Sequence, residues 1–216
     1  MNGHGITSAR RCRLRPVLGA ALLLAAVAGS ARAAPAGTIA GTSGPCGLHD
    51  GDAVQVGQAV LTASGCHLKL AMADQSVILL APGSSVTVTR YDVGPFGRTV
   101  TLNLTQGLMR LTVPPVPATS AFTVLTTSGT AAMRSPDADW FVSVDIGATQ
   151  VGVLAGTVAL TAAVTQRSVA IPAHWGTRLE PGLDPMLPRA WAQVEFDGFI
   201  RRTACCQSTP PPNPKP

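Results

Sequence analysis

The chain has 216 residues, with 16 Lys plus Arg against 11 Asp plus Glu, and five cysteines. Five of the basic residues and none of the acidic ones lie in the first 33 positions, so the remainder carries 16 − 5 = 11 basic against 11 acidic residues. That neutral balance excludes the basic footprint by which a nucleic-acid or anionic-membrane binder is recognised.

Residues 1–33 read as a Sec-type signal peptide. Arg10, Arg11, Arg13 and Arg15 form a basic region, residues 17–29 are apolar, and Ala31-Arg32-Ala33 places small residues where a signal peptidase cleaves. The apolar run is shorter than the ~20 residues of a spanning helix. The mature chain is therefore expected in the periplasm or outside the cell, with no membrane span. It keeps Cys46, Cys66, Cys205 and Cys206, an even set that reads as disulfides in an oxidising compartment. A Cys46–Cys66 bridge would close a short loop and stabilise it by about 3 kcal/mol on the chain-entropy model. The adjacent Cys205 and Cys206 are awkward to join directly. They are left to reach back to Cys46 and Cys66 or to link two chains.

Residues 34–45 are small and polar and read as a flexible linker. Strands are predicted at 53–61, 66–72, 76–80, 84–91, 98–105, 108–113, 122–126, 130–133, 141–145, 150–154, 157–162, 168–171 and 176–179. Val86-Thr87-Val88-Thr89 and residues 100–105 show the alternation of a sheet with one buried face. Turn formers separate the strands, among them Pro82-Gly83, Gln106-Gly107, Ser128-Gly129 and Ala155-Gly156. The prediction is one all-β domain over residues 46–180, with about a dozen short strands arranged as a two-layer sandwich or an irregular β-solenoid. Residues 181–206 hold Trp191, Val194, Phe196, Phe199 and Ile200, and are expected to pack back on the sheet, with Gly198 arguing against a helix. Residues 207–216 form a proline-rich tail.

The order of short motifs resembles that of the FecR-type periplasmic domain. Asp74-Gln75-Ser76, residues 77–80 and Pro82-Gly83-Ser84 match its first two turns and the strand between them, with Gln75 in place of a glycine. Leu102, Leu104, Gly107 and Arg110 match a strand, a glycine turn and a basic residue. Phe122, Val124, Ala131, Arg134, Val142, Val144, Val151, Val153, Gly156 and Val158 follow in the family's order, although Ser135-Pro136 replaces the Gly-Thr expected after Arg134. The resemblance implies an all-β envelope domain that acts through contacts with other proteins. In regulatory members such a domain relays a receptor signal through a transmembrane helix to an anti-sigma segment, and neither part is recognised in this sequence.

Chemistry-bearing clusters are few. Cys46, His49, Cys66 and His67 have the ligand types of a zinc site, but a disulfide with two surface histidines suits the compartment better. Asp137 and Asp139 beside Trp140 have the composition of a glycosidase pair or of a solvated turn. No Gly-x-Ser-x-Gly elbow or glycine-rich phosphate loop occurs. No catalytic residue, metal or cofactor is expected. The candidate partner-binding residues are Arg134, Trp140, His174 and Trp175. The expected partner is another cell-envelope protein, met along an exposed sheet edge. The alternative is peptidoglycan or another envelope polysaccharide, met by a face around Trp140 and Trp175.

Overall fold

The period-2 segments become strands that lie in two layers. The computed structural model describes residues 35–205, which belong to one compact unit. The segment expected to be a signal peptide, the expected proline-rich tail and Cys206 lie outside the described residues.

One layer holds β1 (Gly37–Ser43), β2 (Ala53–Val54), β4 (His67–Met72), β5 (Val77–Leu80), β10 (Ala138–Asp145), β11 (Ala148–Ala155), β14 (Trp175–Leu179) and β15 (Arg189–Ala190). The other holds β3 (Ala59–Leu61), β6 (Ser85–Gly94), β8 (Ala121–Leu125), β9 (Gly129–Met133), β12 (Thr157–Ala162) and β13 (Ser168–Pro172). The long strand β7 (Gly97–Val113) belongs to both: its first half pairs with β6 and, in parallel, with β8, and its second half pairs with β5 and β10. The spatial orders are β2-β1-β4-β5-β7-β10-β11-β14-β15 and β3-β6-β7-β8-β9-β12-β13. The chain thus lays hairpins alternately on the two layers, and both grow in the same direction.

Alternation explains the core between the layers. Leu68, Leu70, Ile78, Leu80, Leu111, Val142 and Val151 from one layer meet Val86, Val88, Leu102, Phe122, Val124, Val158 and Leu160 from the other in a single buried cluster. Strand β10 breaks the alternation and is buried almost throughout, because its outer face is covered as well. There Phe141 and Leu108 pack under helix α1 (Gln193–Thr203) with Trp191 and Phe196.

The crossing of β7 between layers depends on Gly107, whose φ is +92°. A Cβ there would fall 2.4 Å from Ser84 Oγ and 2.5 Å from its Cα. Ser84 in turn accepts the Leu108 N–H at 3.0 Å and donates to Ala81 O at 2.7 Å, tying the β5–β6 crossing to the bend.

Several expectations are corrected. Residues 34–45 are not a flexible linker, since β1 pairs along its length with β4 and its first two residues also pair with β2. Ala36 and Ile39 are buried there, enough to anchor a strand that composition alone does not announce. The segment 53–61 is two strands, split at a turn where Gly57 has φ +84°. The segments 98–105 and 108–113 are one strand that bends without ending. Residues 193–203 are helical despite Gly198. A mid-helix glycine costs about 1 kcal/mol, and burial of Trp191, Phe196 and the Phe199 ring outweighs it. Glu195 closes the helix start by accepting the Ala192 N–H at 2.9 Å, while Arg189 grips the same carboxylate at 2.6 Å.

The disulfide joins Cys46 to Cys66, so the C-terminal cysteines do not reach back to either. Cys205 is buried with its sulfur 3.8 Å from Gly41 O.

Candidate protein-binding edge

A two-layer fold has four lateral edges, and their lengths differ. Strands β2 and β15 are two residues long, β3 is three, and β13 is five. β13 pairs with β12 alone among the described strands. Its sequence, Ser168-Val169-Ala170-Ile171-Pro172, has no charged residue, although natural proteins commonly guard an edge with charge.

The direction of the free backbone groups follows from the neighbouring pair. Arg134 N–H donates to Thr157 O at 2.8 Å, so Thr157 turns its backbone toward β9. Antiparallel alternation then aims Val158 and Leu160 at β13, where their partners are Ile171 and Val169. Ser168 and Ala170 are left with their N–H and C=O directed outward, and their side chains are exposed. Pro172 ends the edge because it has no N–H to offer.

His174 follows this edge directly, and Arg134 lies two strands inboard of it, on the β9 side of Thr157. Thr157, bonded to Arg134, is the register partner of Pro172, two residues before His174. Arg134 is exposed and forms no ion pair among the described residues. His174 holds a left-handed backbone, φ +66°, at the crossing from β13 to β14, with its N–H on Val153 O at 2.7 Å. Its ring meets Phe196 edge-on at 6.5 Å. Trp175 is 40% exposed beside it.

Trp140 is different. It is fully buried in the inter-layer core, so it presents no ring to a partner, and the two-tryptophan face expected from the sequence does not form. Trp140 shares the inward phase of Val142 and Val144, and a strand expected at 141–145 begins one residue too late to include it.

Other clusters resolve into structure. Asp139 is held by Arg110 through two hydrogen bonds, 2.8 Å and 2.6 Å, and the guanidinium also lies 5.4 Å from the Phe141 ring. The Asp139 hydrogen bond raises the Arg110 pKa further, against the opposing effect of burial. A carboxylate so paired is poorly suited to act as a free base beside Asp137. Cys46 and Cys66 spend their thiols on each other, removing two of the four ligands of the zinc alternative.

A buried polar network, not visible from spacing, sets the base of the β6–β7 hairpin. The Asp74 carboxylate accepts from Ser76 Oγ at 2.5 Å, Tyr91 Oη at 3.0 Å and Arg98 Nη1 at 2.9 Å. Burial, then the charge of Asp74, pushes the Tyr91 phenol above its ordinary value. The neutral phenol is therefore the form that the fold favours. Its contribution is complete below the ordinary tyrosine pKa of about 10 and is lost as pH rises toward the higher folded value. Denaturation midpoints measured from pH 8 to 11 are expected to fall above about pH 10, and Tyr91→Phe to flatten that limb. An unchanged slope in the variant would place the alkaline sensitivity elsewhere.

Residues 58–159 match the family model described as FecR protein. The fold is similar to the crystal structure of a "putative anti-sigma factor" from Parabacteroides distasonis, with 14% identity and a TM-score of 0.54 over 66% of this chain and 64% of that one. A second crystal structure with the same description gives a TM-score of 0.53 at the same identity and coverage. This chain thus spans just under two thirds of that protein, and at such identity the likeness is one of fold. No curated protein matches the chain.

Proposed function

Because the chain carries a FecR-type domain over residues 58–159, we propose that it is an exported, non-catalytic module that binds another cell-envelope protein by strand addition to β13. Its role is signalling or scaffolding. The observation that carries this reading is β13 itself: the longest of the four terminal strands, uncharged, and with the backbone groups of Ser168 and Ala170 directed outward. Strand addition draws affinity from main-chain hydrogen bonds and specificity from neighbouring side chains, here His174 at the end of the edge and Arg134 two strands inboard. The Cys46–Cys66 disulfide supports an oxidising compartment. Among the described residues no helix is long and apolar enough to cross a membrane.

Ala170→Pro tests the edge. It removes an N–H that points away from β12, so the layer keeps its internal bonds while an added strand loses one and meets a pyrrolidine ring. In-cell crosslinking with the wild-type protein is expected to capture a reproducible envelope protein, and Ala170→Pro to reduce that capture about tenfold with the melting temperature kept within a few degrees. Equal capture by a folded Ala170→Pro variant would refute the edge. Capture of no envelope protein by the wild type would refute the function.

A further inference from the structure

The outer face of the first layer carries a trough that neither the fold nor the β13 edge uses. Gln150 and Arg178 are cross-strand partners on β11 and β14, and they line cavities on both sides. One cavity, of about 300 Å³, is also lined by Gln106, Ser143, Asp145 and Arg202. The other, about 220 Å³, is also lined by Thr177, Met186, Leu187 and Trp191. The first is polar: Arg178 and Arg202 line it with Asp145, and Glu180 pairs with Arg178. The second is apolar, and Met186 and Leu187 stand 60% and 86% exposed at its wall.

Charge complementarity selects the occupant. Arg202 lies over the Phe199 ring at 5.9 Å and pairs with no carboxylate among the described residues. Arg178 shares an exposed pair with Glu180 at 2.5 Å, which a ligand carboxylate can displace because such pairs contribute little. Arg178 and Gly176, two residues apart on β14, mark the polar and apolar halves, a step of about 6–7 Å along a strand. A C-terminal residue offers a carboxylate and an aliphatic side chain from one Cα, matching a polar half and an apolar half that adjoin at Arg178. A sugar fits less well. The Trp191 indole lies against Gly152 and Gly176 and stacks on Phe199 at 5.4 Å and 11°, leaving no open ring face for stacking.

We propose that this trough binds the C-terminal end of a polypeptide whose last residue is aliphatic, the carboxylate on Arg178 and Arg202 and the side chain between Met186, Leu187 and the edge of Trp191. The site lies apart from β13, and its failure would leave the strand-addition reading untouched.

The probe is acetyl-Ala-Ala-Ala-Leu with a free carboxylate, compared with its C-terminal amide, titrated into the whole protein and followed by arginine Nε and tryptophan indole NMR signals. The acid is expected to bind about tenfold more tightly than the amide, since bonds to charged groups carry that difference. The Trp191 indole and the Arg178 and Arg202 signals should move, and those of Trp140 should not. Arg202→Gln and Leu187→Ser should each weaken the acid, with Arg202→Gln removing its advantage over the amide. Both positions are exposed, so the variants are expected to keep the wild-type melting temperature. Equal binding of acid and amide, wild-type affinity in Arg202→Gln, or tighter binding of a muramic-acid disaccharide than of the peptide would each overturn the proposal.

Discussion

Replacing Asp74 with alanine is expected to destabilise the protein by about 3–5 kcal/mol, the range for removing one partner of a buried ion pair, and to lower Tm by roughly 10–15 °C. The carboxylate side chain is fully enclosed, and the Arg98 guanidinium that it pairs with at 2.9 Å is 17% exposed. Arg98 also donates to Asp74 O at 2.5 Å, and the Asp74 N–H donates to Tyr91 Oη at 2.7 Å, so the same residue fixes turn and hairpin together. Without the carboxylate, Arg98 and the Tyr91 hydroxyl lose their partner in a region that water reaches poorly. The turn itself then lacks support for Gln75, whose φ of +69° is costly for a residue with a Cβ. The measurement is urea denaturation of Asp74→Ala, Arg98→Met and the double variant. The double variant should recover part of the loss, since it removes the orphaned charge. A single-variant loss under about 1 kcal/mol would place the pair among ordinary surface bridges and sink the prediction.

The second large effect is expected at Gly176. A Cβ there would sit 2.1 Å from Trp191 Cε2, and one at Gly152, its register partner, 2.3 Å from Cζ3. The two glycines are a flat bed on which the indole lies, with Phe199 stacked against it and Phe196 tilted at 5.3 Å. Gly176→Ala must lift the ring by more than an ångström and with it the start of α1. A Trp side chain buries some 150–250 Å², and apolar area contributes about 25 cal/mol per Å², so loss of about 2–4 kcal/mol is expected. Trp191→Ala provides the control. In that background Gly176→Ala should be almost neutral, because the clash has no object; an undiminished cost would locate the effect in β14 itself.

How much of this was legible varies with the reach of the forces involved. Strands such as β4 and β12 are written in local alternation, and the turns at Pro82-Gly83 and Ala155-Gly156 in residues whose backbone preferences are intrinsic. The Cys46–Cys66 pairing was one of the alternatives that the sequence left open, and the structure selects it. Strand β1 was not, because residues such as Gly37, Thr38 and Gly41 become a strand only when β4 is there to pair with. The burial of Phe141 was hidden for a related reason: a downstream helix covers the outer face of its strand, so apolar residues run on from Trp140 without alternating. Arg134 and His174 were picked out by motif and composition, but their nearness to one edge depends on the order in which β9, β12 and β13 pair. The edge itself belongs to topology, since nothing in Ser168-Val169-Ala170-Ile171-Pro172 says that its outer side stays unpaired.

The hairpin-by-hairpin order of the two layers has a consequence for assembly. Nearly every strand finds its neighbour among segments that precede it closely in the chain, and such locality lowers the entropy spent on closing loops. A polypeptide delivered N-terminus first then holds most of the partners of each new strand already. On this account β13 is the last strand laid in its layer, and its open side is the position that a further hairpin would have taken. The proposed partner strand would extend a layer whose own strands end with β13.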